Sequence, residues 1–228
     1  IFIISFQVFP QKGFNPPKLE FQQLNDGLAG NIVNSVLQDH QGYVWVGTNN
    51  GLNRFDGTKF ELFEHNKKDT TSLPTNRVID IYEDKDLNLW ISTNAGLVRF
   101  NRDNNNFERL SNREQGKISF DESNILCMIA DNKKRLWLGT DKGLQKFNAK
   151  TGDIEHYAIK HLNTNVTDNA VFAINLDKKG RLWLGTQSGI NLFYSEENKL
   201  VFPKDENGNS IGSWQVNDIY IDTNEDIW

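Results

Sequence analysis

The chain has 228 residues, 25 Lys plus Arg against 30 Asp plus Glu, and a net charge of -5. A mildly acidic chain offers no positive field to a phosphate backbone, which excludes nucleic acid as a partner of this region. The single cysteine, Cys127, excludes a disulfide framework and any multi-thiolate metal site. The sequence also holds 29 asparagines, and Asn favours turns over strand or helix interiors, so many short elements joined by turns are expected.

In chain order, the first segment is the apolar run Ile1 to Phe9, too short to span a bilayer. Pro10, Pro16 and Pro17 follow at once and would break a strand or helix. Residues 1–11 therefore read as the end of a secretory signal, with a first strand as the alternative, although no small-x-small cleavage site is visible.

From Leu19 onward a repeat dominates. Trp45, Trp90, Trp137, Trp183 and Trp228 are spaced by 45, 47, 46 and 45 residues. Six residues before each stands an aspartate: Asp39, Asp84, Asp131, Asp177 and Asp222. Three residues after the first four Trp comes a Thr, six after a Gly and ten after a Phe, as in Thr48, Gly51 and Phe55. In the first unit the apolar stretches Ile32 to Gln38, Tyr43 to Thr48, Leu52 to Phe55 and Lys59 to Phe63 are divided by turn signals. Four short strands in about 45 residues is the pattern of a β-propeller blade. The fold class is therefore all-β, a propeller of four-stranded blades at residues 31–75, 76–122, 123–168 and 169–213, with a truncated one at 214–228. Inner strands are expected to begin near Ile32, Arg77, Ile125 and Ala170, and a solenoid of β-arches is the competing architecture. Four blades and a fraction leave two faces without a neighbour, so this span alone is expected to be poorly stable.

The ring of aspartates invites a catalytic reading. A residue present in every blade more simply builds the blade: each Asp opens a tight turn whose amides its carboxylate can accept. The tryptophans are expected to fill the space between blades. Function is sought where the repeats differ, in the connectors Glu64 to Thr75, Ser111 to Ser123, Ala158 to Asp168 and Pro203 to Ser213. On their rim the candidate ligand-binding residues are His65, Arg113, His161 and Trp214. Trp214 stands where three other units have Asn31, Asn76 and Asn169, and an aromatic there suits stacking on a sugar, anchoring a partner or filling a gap between blades. The four histidines (His40, His65, His156, His161) occupy unrelated repeat positions, so no metal site, no catalytic residue and no cofactor is expected.

The recurring pattern Asn-x-Val, Asp-x-x-Gly-x-x-Trp-x-Gly-Thr, Gly-Leu-x-x-Phe resembles the two-component regulator propeller repeat. It is carried by Asn31 to Phe55, Asn76 to Phe100, Ser123 to Phe147, Asn169 to Phe193 and Trp214 to Trp228. Departures are Ser92 for the Gly of Trp-x-Gly-Thr, and Leu87, Lys134 and Glu225 for the turn Gly. The resemblance implies a stretch of a seven-bladed propeller in the exported, periplasmic half of a bacterial hybrid histidine kinase. It further implies oligosaccharide or another small extracellular molecule as ligand, in control of polysaccharide use, with the rest of the same polypeptide, or a second copy in a homodimer, as partner. A stand-alone propeller lyase or hydrolase, or an interaction scaffold coupled to another signalling output, are the alternatives.

Overall fold

The computed structural model describes residues 27–110, 123–149, 151–159, 170–204, 207–208 and 215–228. These form four separate four-stranded antiparallel sheets, and among the described residues there is no helix. The first sheet is β1 (Val33–Gln38), β2 (Val44–Thr48), β3 (Gly51–Phe55) and β4 (Phe60–Phe63). The second is β5 (Val78–Glu83), β6 (Leu89–Thr93), β7 (Gly96–Asn101) and β8 (Asn106–Arg109). The third is β9 (Ile125–Ala130), β10 (Leu136–Thr140), β11 (Gly143–Phe147) and β12 (Ile154–Tyr157). The fourth is β13 (Val171–Leu176), β14 (Leu182–Thr186), β15 (Gly189–Tyr194) and β16 (Lys199–Val201). Strands within each sheet follow sequence order, and the first strands β1, β5, β9 and β13 lie side by side from sheet to sheet. This is the expected blade architecture, with inner strands starting within a residue of the expected positions. A fifth unit begins with a single bridge between Ile221 and Ile227.

The second and third strands join through tight hairpins closed at Thr48 and Gly51, Thr93 and Gly96, Thr140 and Gly143, and Thr186 and Gly189. The hydroxyl of Thr48 donates to the Gly51 carbonyl at 2.9 Å and accepts the Asn50 amide at 3.0 Å, so one side chain satisfies both strands of the turn. The same pair of bonds recurs at the other three hairpins. Gly51 sits at φ 130°, and a Cβ there would lie 2.8 Å from the Phe63 carbonyl, so the position needs glycine for both conformation and room.

Each inner strand carries a bulge near its start, between Val33 and Ser35, Val78 and Asp80, and Val171 and Ala173, with the same irregularity where Gly139 and Thr140 face Cys127 and Ile125. Bulges re-aim the following side chains. At the position after the bulge the units carry Ser35, Asp80, Cys127, Ala173 and Asp218.

The buried apolar side chains lie between sheets rather than in one central core. Trp45, Leu52 and Leu73 of the first blade pack with Val78, Leu89, Phe100 and Phe107 of the second. Trp90 and Leu97 pack with Ile125, Leu136 and Phe147, and Trp137 and Leu144 with Val171, Leu182 and Phe193. Each of the first three tryptophans meets the repeat Phe of the following blade, with ring centroids 4.9 Å apart for Trp45 and Phe100, 6.2 Å for Trp90 and Phe147, and 5.6 Å for Trp137 and Phe193. The tryptophans thus fill inter-blade space as their recurrence predicted, and such edge-on pairs add about 1 kcal/mol each to the burial.

Candidate functional site

The repeated aspartates are structural. Asp39 Oδ1 accepts the amides of Gln41 and Tyr43 at 3.0 Å, closing the turn between β1 and β2. Its Oδ2 accepts the Trp45 indole N–H at 2.9 Å, a bond that the turn reading alone did not foresee. The same indole bond is 2.8 Å from Trp90 to Asp84, 2.9 Å from Trp137 to Asp131 and 3.1 Å from Trp183 to Asp177. Asp222 makes the turn bonds, accepting the amides of Asn224 and Asp226. The constant six-residue offset was the sequence signal: it places the carboxylate in the turn after the inner strand, beside the indole on the second strand. A buried indole N–H needs such an acceptor.

Three of the clamp aspartates also bind a guanidinium. Arg135 and Arg181, four residues along the same turns, donate through Nε to Asp131 and Asp177 at 2.5 and 2.6 Å. Asp39 instead receives Nη1 of Arg102, from the turn between β7 and β8 of the next blade, at 2.8 Å. Burial pushes the Asp39 carboxyl up, but the Trp45 indole and Arg102 outweigh it and hold the group below its ordinary range. Asp84 has the neutral Asn88 amide in this place, at 2.9 Å.

On the opposite rim lie the connectors and the hairpins at Thr48 and its equivalents. The connector after β4 is ordered by Arg109 of β8, which donates to the carbonyls of Asp69, Ser72 and Leu73 and to the Ser72 hydroxyl at 2.9 to 3.1 Å. His65, half-buried there, shares a hydrogen bond of 2.7 Å between its Nδ1 and the Leu73 carbonyl, and its amide donates to Asn76 Oδ1 at 2.6 Å. Its ring is therefore engaged in holding the connector. Arg113, His161 and Trp214 lie outside the described residues. The hairpin tips Asn50, Asn94, Asp141 and Gln187 are exposed, giving this rim a row of amide and carboxylate groups. Among the described residues no three His, Cys, Asp or Glu side chains converge as metal ligands.

Along the inner strands the blades are tied by side chains. Asn34 donates to the Val78 carbonyl at 2.7 Å, and Asn175 to the Ile219 carbonyl at 3.1 Å. Asp80 links three blades: it accepts the Ser35 hydroxyl of the first at 2.9 Å, the Met128 amide of the third at 3.0 Å and its own neighbour's amide, Ile81, at 2.9 Å. Burial nevertheless raises its carboxyl to about 6, because three donors do not replace full hydration. The adjacent Cys127 thiol is pushed well up by burial and by the Asp80 charge. Its side chain packs against the apolar cluster between the third and fourth blades.

A cleft of about 580 Å³ opens between the second and third blades, on the rim of the Asp turns. Trp90, Leu136 and Phe147 form its apolar side, and Asp84, Asp86, Asn88, Arg99 and Lys146 are among its polar walls. Lys134 pairs with Asp86 at 2.5 Å and Lys146 with Glu155 at 2.7 Å. Sequence reasoning missed this cleft, because it sought variation in the long connectors rather than in a single short turn.

The comparisons with known proteins agree with the repeat. The profile of the two-component regulator propeller matches residues 27–50, 72–95, 119–142 and 165–188, one match at each of the four blades. A 48-residue stretch is 46% identical to Histidine kinase P4 of Formosa agariphila, covering 21% of this chain and 4% of that protein. Among solved structures, the extracellular domain of BT4673 of B. thetaiotaomicron, assigned to a hybrid two-component system, is similar with a TM-score of 0.68 and 23% identity. That likeness covers 94% of this chain and 27% of the other. Virginiamycin B lyase of Staphylococcus aureus is similar at a TM-score of 0.60 and 14% identity, over 86% of this chain and 62% of the lyase. At these identities the two structures speak for the fold, and the chain spans only a small fraction of the kinase. The four matches in register with four blades make the chain a member of the two-component regulator propeller family.

Proposed function

We propose that this chain is a ligand-sensing propeller of the exported, periplasmic region of a bacterial hybrid histidine kinase, and that the ligand is an oligosaccharide. The observation that carries the reading is the family repeat at all four blades, together with the local match to a histidine kinase. The fold shared with the extracellular domain of BT4673 supports an exported position. The polar hairpin tips beside the connectors supply the amide and carboxylate groups that recognise sugar hydroxyls. In this reading the chain binds and transmits, and catalysis belongs to other regions of the polypeptide. Lyases share the fold, but a fold is not an activity.

Calorimetric titration of the complete exported region with a panel of oligosaccharides tests the proposal. One member of the panel should bind, and replacing His65, Arg113, His161 and Trp214 together by Ala should abolish that binding while the melting temperature stays within a few degrees. Binding that survives all four changes refutes the connector site. Absence of binding across the panel refutes the sugar ligand.

A further inference from the structure

The bulge that opens each inner strand leaves one residue with no partner on the second strand. Val33 pairs with Thr48 and Ser35 with Gly47, so Asn34 is the extra residue of the first blade. The same register leaves out Ile79 in the second blade, Leu126 in the third and Phe172 in the fourth. Asn217 holds the position in the fifth unit, eleven residues before Trp228 as Asn34 is before Trp45. The inner strands β1, β5, β9 and β13 lie side by side, and Asn175 of β13 bonds the Ile219 carbonyl of the fifth unit, so the five positions form an arc. Asn34 shows where the arc lies. Its Nδ2 donates to Asn49 Oδ1, on its own hairpin tip, at 3.0 Å and to the Val78 carbonyl, at the start of the next inner strand, at 2.7 Å. The arc is therefore at the connector end of the blades, beside the hairpin tips.

The middle of the arc is apolar. Ile79, Leu126 and Phe172 are half-buried, and among the described residues none belongs to the clusters that fill the seams, although Val78, Ile125 and Val171 immediately before them do. Apolar side chains that adjoin one another on a polar rim mark a binding surface more than scattered ones do. The two ends of the arc are amides. Asn34 is fixed by Asn49 and Val78, and Asn217 Oδ1 accepts Gln215 Nε2 at 2.6 Å. Among the described residues this leaves Asn34 Oδ1 and Asn217 Nδ2 open, one an acceptor and the other a donor. The charged residues adjoining the arc are Arg77 and Lys142 against Asp80, Asp141 and Asp218, so there is no positive surplus to draw a carboxylate or a sulfate.

We infer that the bulge arc is a sugar subsite, and that the sugar it takes is an uncharged pyranose of an oligosaccharide. Phe172 is the stacking platform for the C–H face of the ring, Leu126 and Ile79 extend that floor, and Asn217 and Asn34 exchange hydrogen bonds with hydroxyl groups at its two ends. An apolar floor with a few placed polar groups is the general form of a small-ligand site. The inference rests on the oligosaccharide reading and adds to it a floor, inside the ring of connectors, and the class of sugar.

The test is calorimetric titration of the complete exported region with cellotetraose, maltotetraose, xylotetraose and laminaritetraose, and with tetragalacturonate as the acidic counterpart. One of the uncharged tetrasaccharides should bind, and tetragalacturonate should bind about tenfold more weakly or not at all. Phe172→Ala should weaken binding by about tenfold or more, whereas Phe172→Trp, which keeps an aromatic face, should stay within about threefold of wild type. Phe172→Leu keeps apolar volume and removes the ring, so it should lose binding as Phe172→Ala does, without leaving a cavity. Asn217→Ala should weaken binding by about threefold. Melting temperatures should stay within a few degrees, because the position lies outside the seam clusters. Binding that survives both Phe172→Ala and Phe172→Leu, or tetragalacturonate that binds as tightly as any uncharged tetrasaccharide, overturns the subsite and leaves the oligosaccharide reading standing. Absence of binding by every tetrasaccharide overturns both.

Discussion

Replacing Asp80 by Asn should remove a pH dependence of stability that the inner strands build into the propeller. The Asp80 carboxyl is raised by burial from an ordinary 3.8 to about 6, while the unfolded chain titrates near the ordinary value. A folded pKa above the unfolded one stabilises at low pH: the contribution is complete below about 4 and is lost as pH rises through about 6. At about 1.4 kcal/mol per unit, the loss amounts to roughly 3 kcal/mol. The groups facing Asp80 do not titrate against this trend, since Ser35 is neutral and the raised Cys127 thiol stays protonated throughout. The clamp carboxylates Asp39 and Asp177 are lowered, so their contribution is lost only as pH falls below the usual carboxylate range. Asn keeps an acceptor for the Ser35 hydroxyl but turns an amide group toward the Met128 N–H, which costs about 1 to 3 kcal/mol at all pH values. Urea unfolding of wild type and Asp80→Asn from pH 4 to pH 7.5 checks this. The stability advantage of wild type should shrink by roughly 3 kcal/mol across that range. A difference that stays constant refutes the buried-carboxylate argument.

Leu87 is 48% exposed and sits at φ 66°, where Gly42 and Gly180 stand in the first and fourth blades, so Leu87→Gly should stabilise by about 1 kcal/mol, seen as a raised thermal midpoint. A Cβ on Gly139 would lie 2.8 Å from the Val171 carbonyl and 2.4 Å from Cys127 Sγ, so Gly139→Ala should cost about 1 to 3 kcal/mol in urea unfolding. Trp137→Phe should cost about 2 kcal/mol or more by the same measurement, from lost volume and from the loss of the indole donor to Asp131.

The aligned tryptophans made the blades legible because each spacing is local: an Asp, a turn, a Trp and a hairpin fall within one blade, and the chain repeats them. The turn role of Asp39 followed from its place before Gln41 to Tyr43. The indole bond was present in the same six-residue offset but needed the strand pairing to be seen. Arg102 and Asp39 are 63 residues apart, and Lys133 and Glu196 the same distance, so which turn crosses to which blade is a property of the assembled interface. His65 stood out as a lone histidine in a connector, and its Leu73 contact depends on how that connector folds back.

The inner strands give the molecule a particular mechanics. Within a blade, strands are joined by backbone ladders; between described blades the sheets remain separate, tied by single side chains such as Asn34 to Val78 and Asp80 to Met128, and by apolar packing. A pull along the chain would therefore load the seams before the sheets, and the blades would come away singly. Each unit holds 45 to 47 residues, so each detachment would release a length of roughly 150 Å once its ladder followed. Such a row of blades yields in counted increments, with every seam set to its own strength by the residues that cross it.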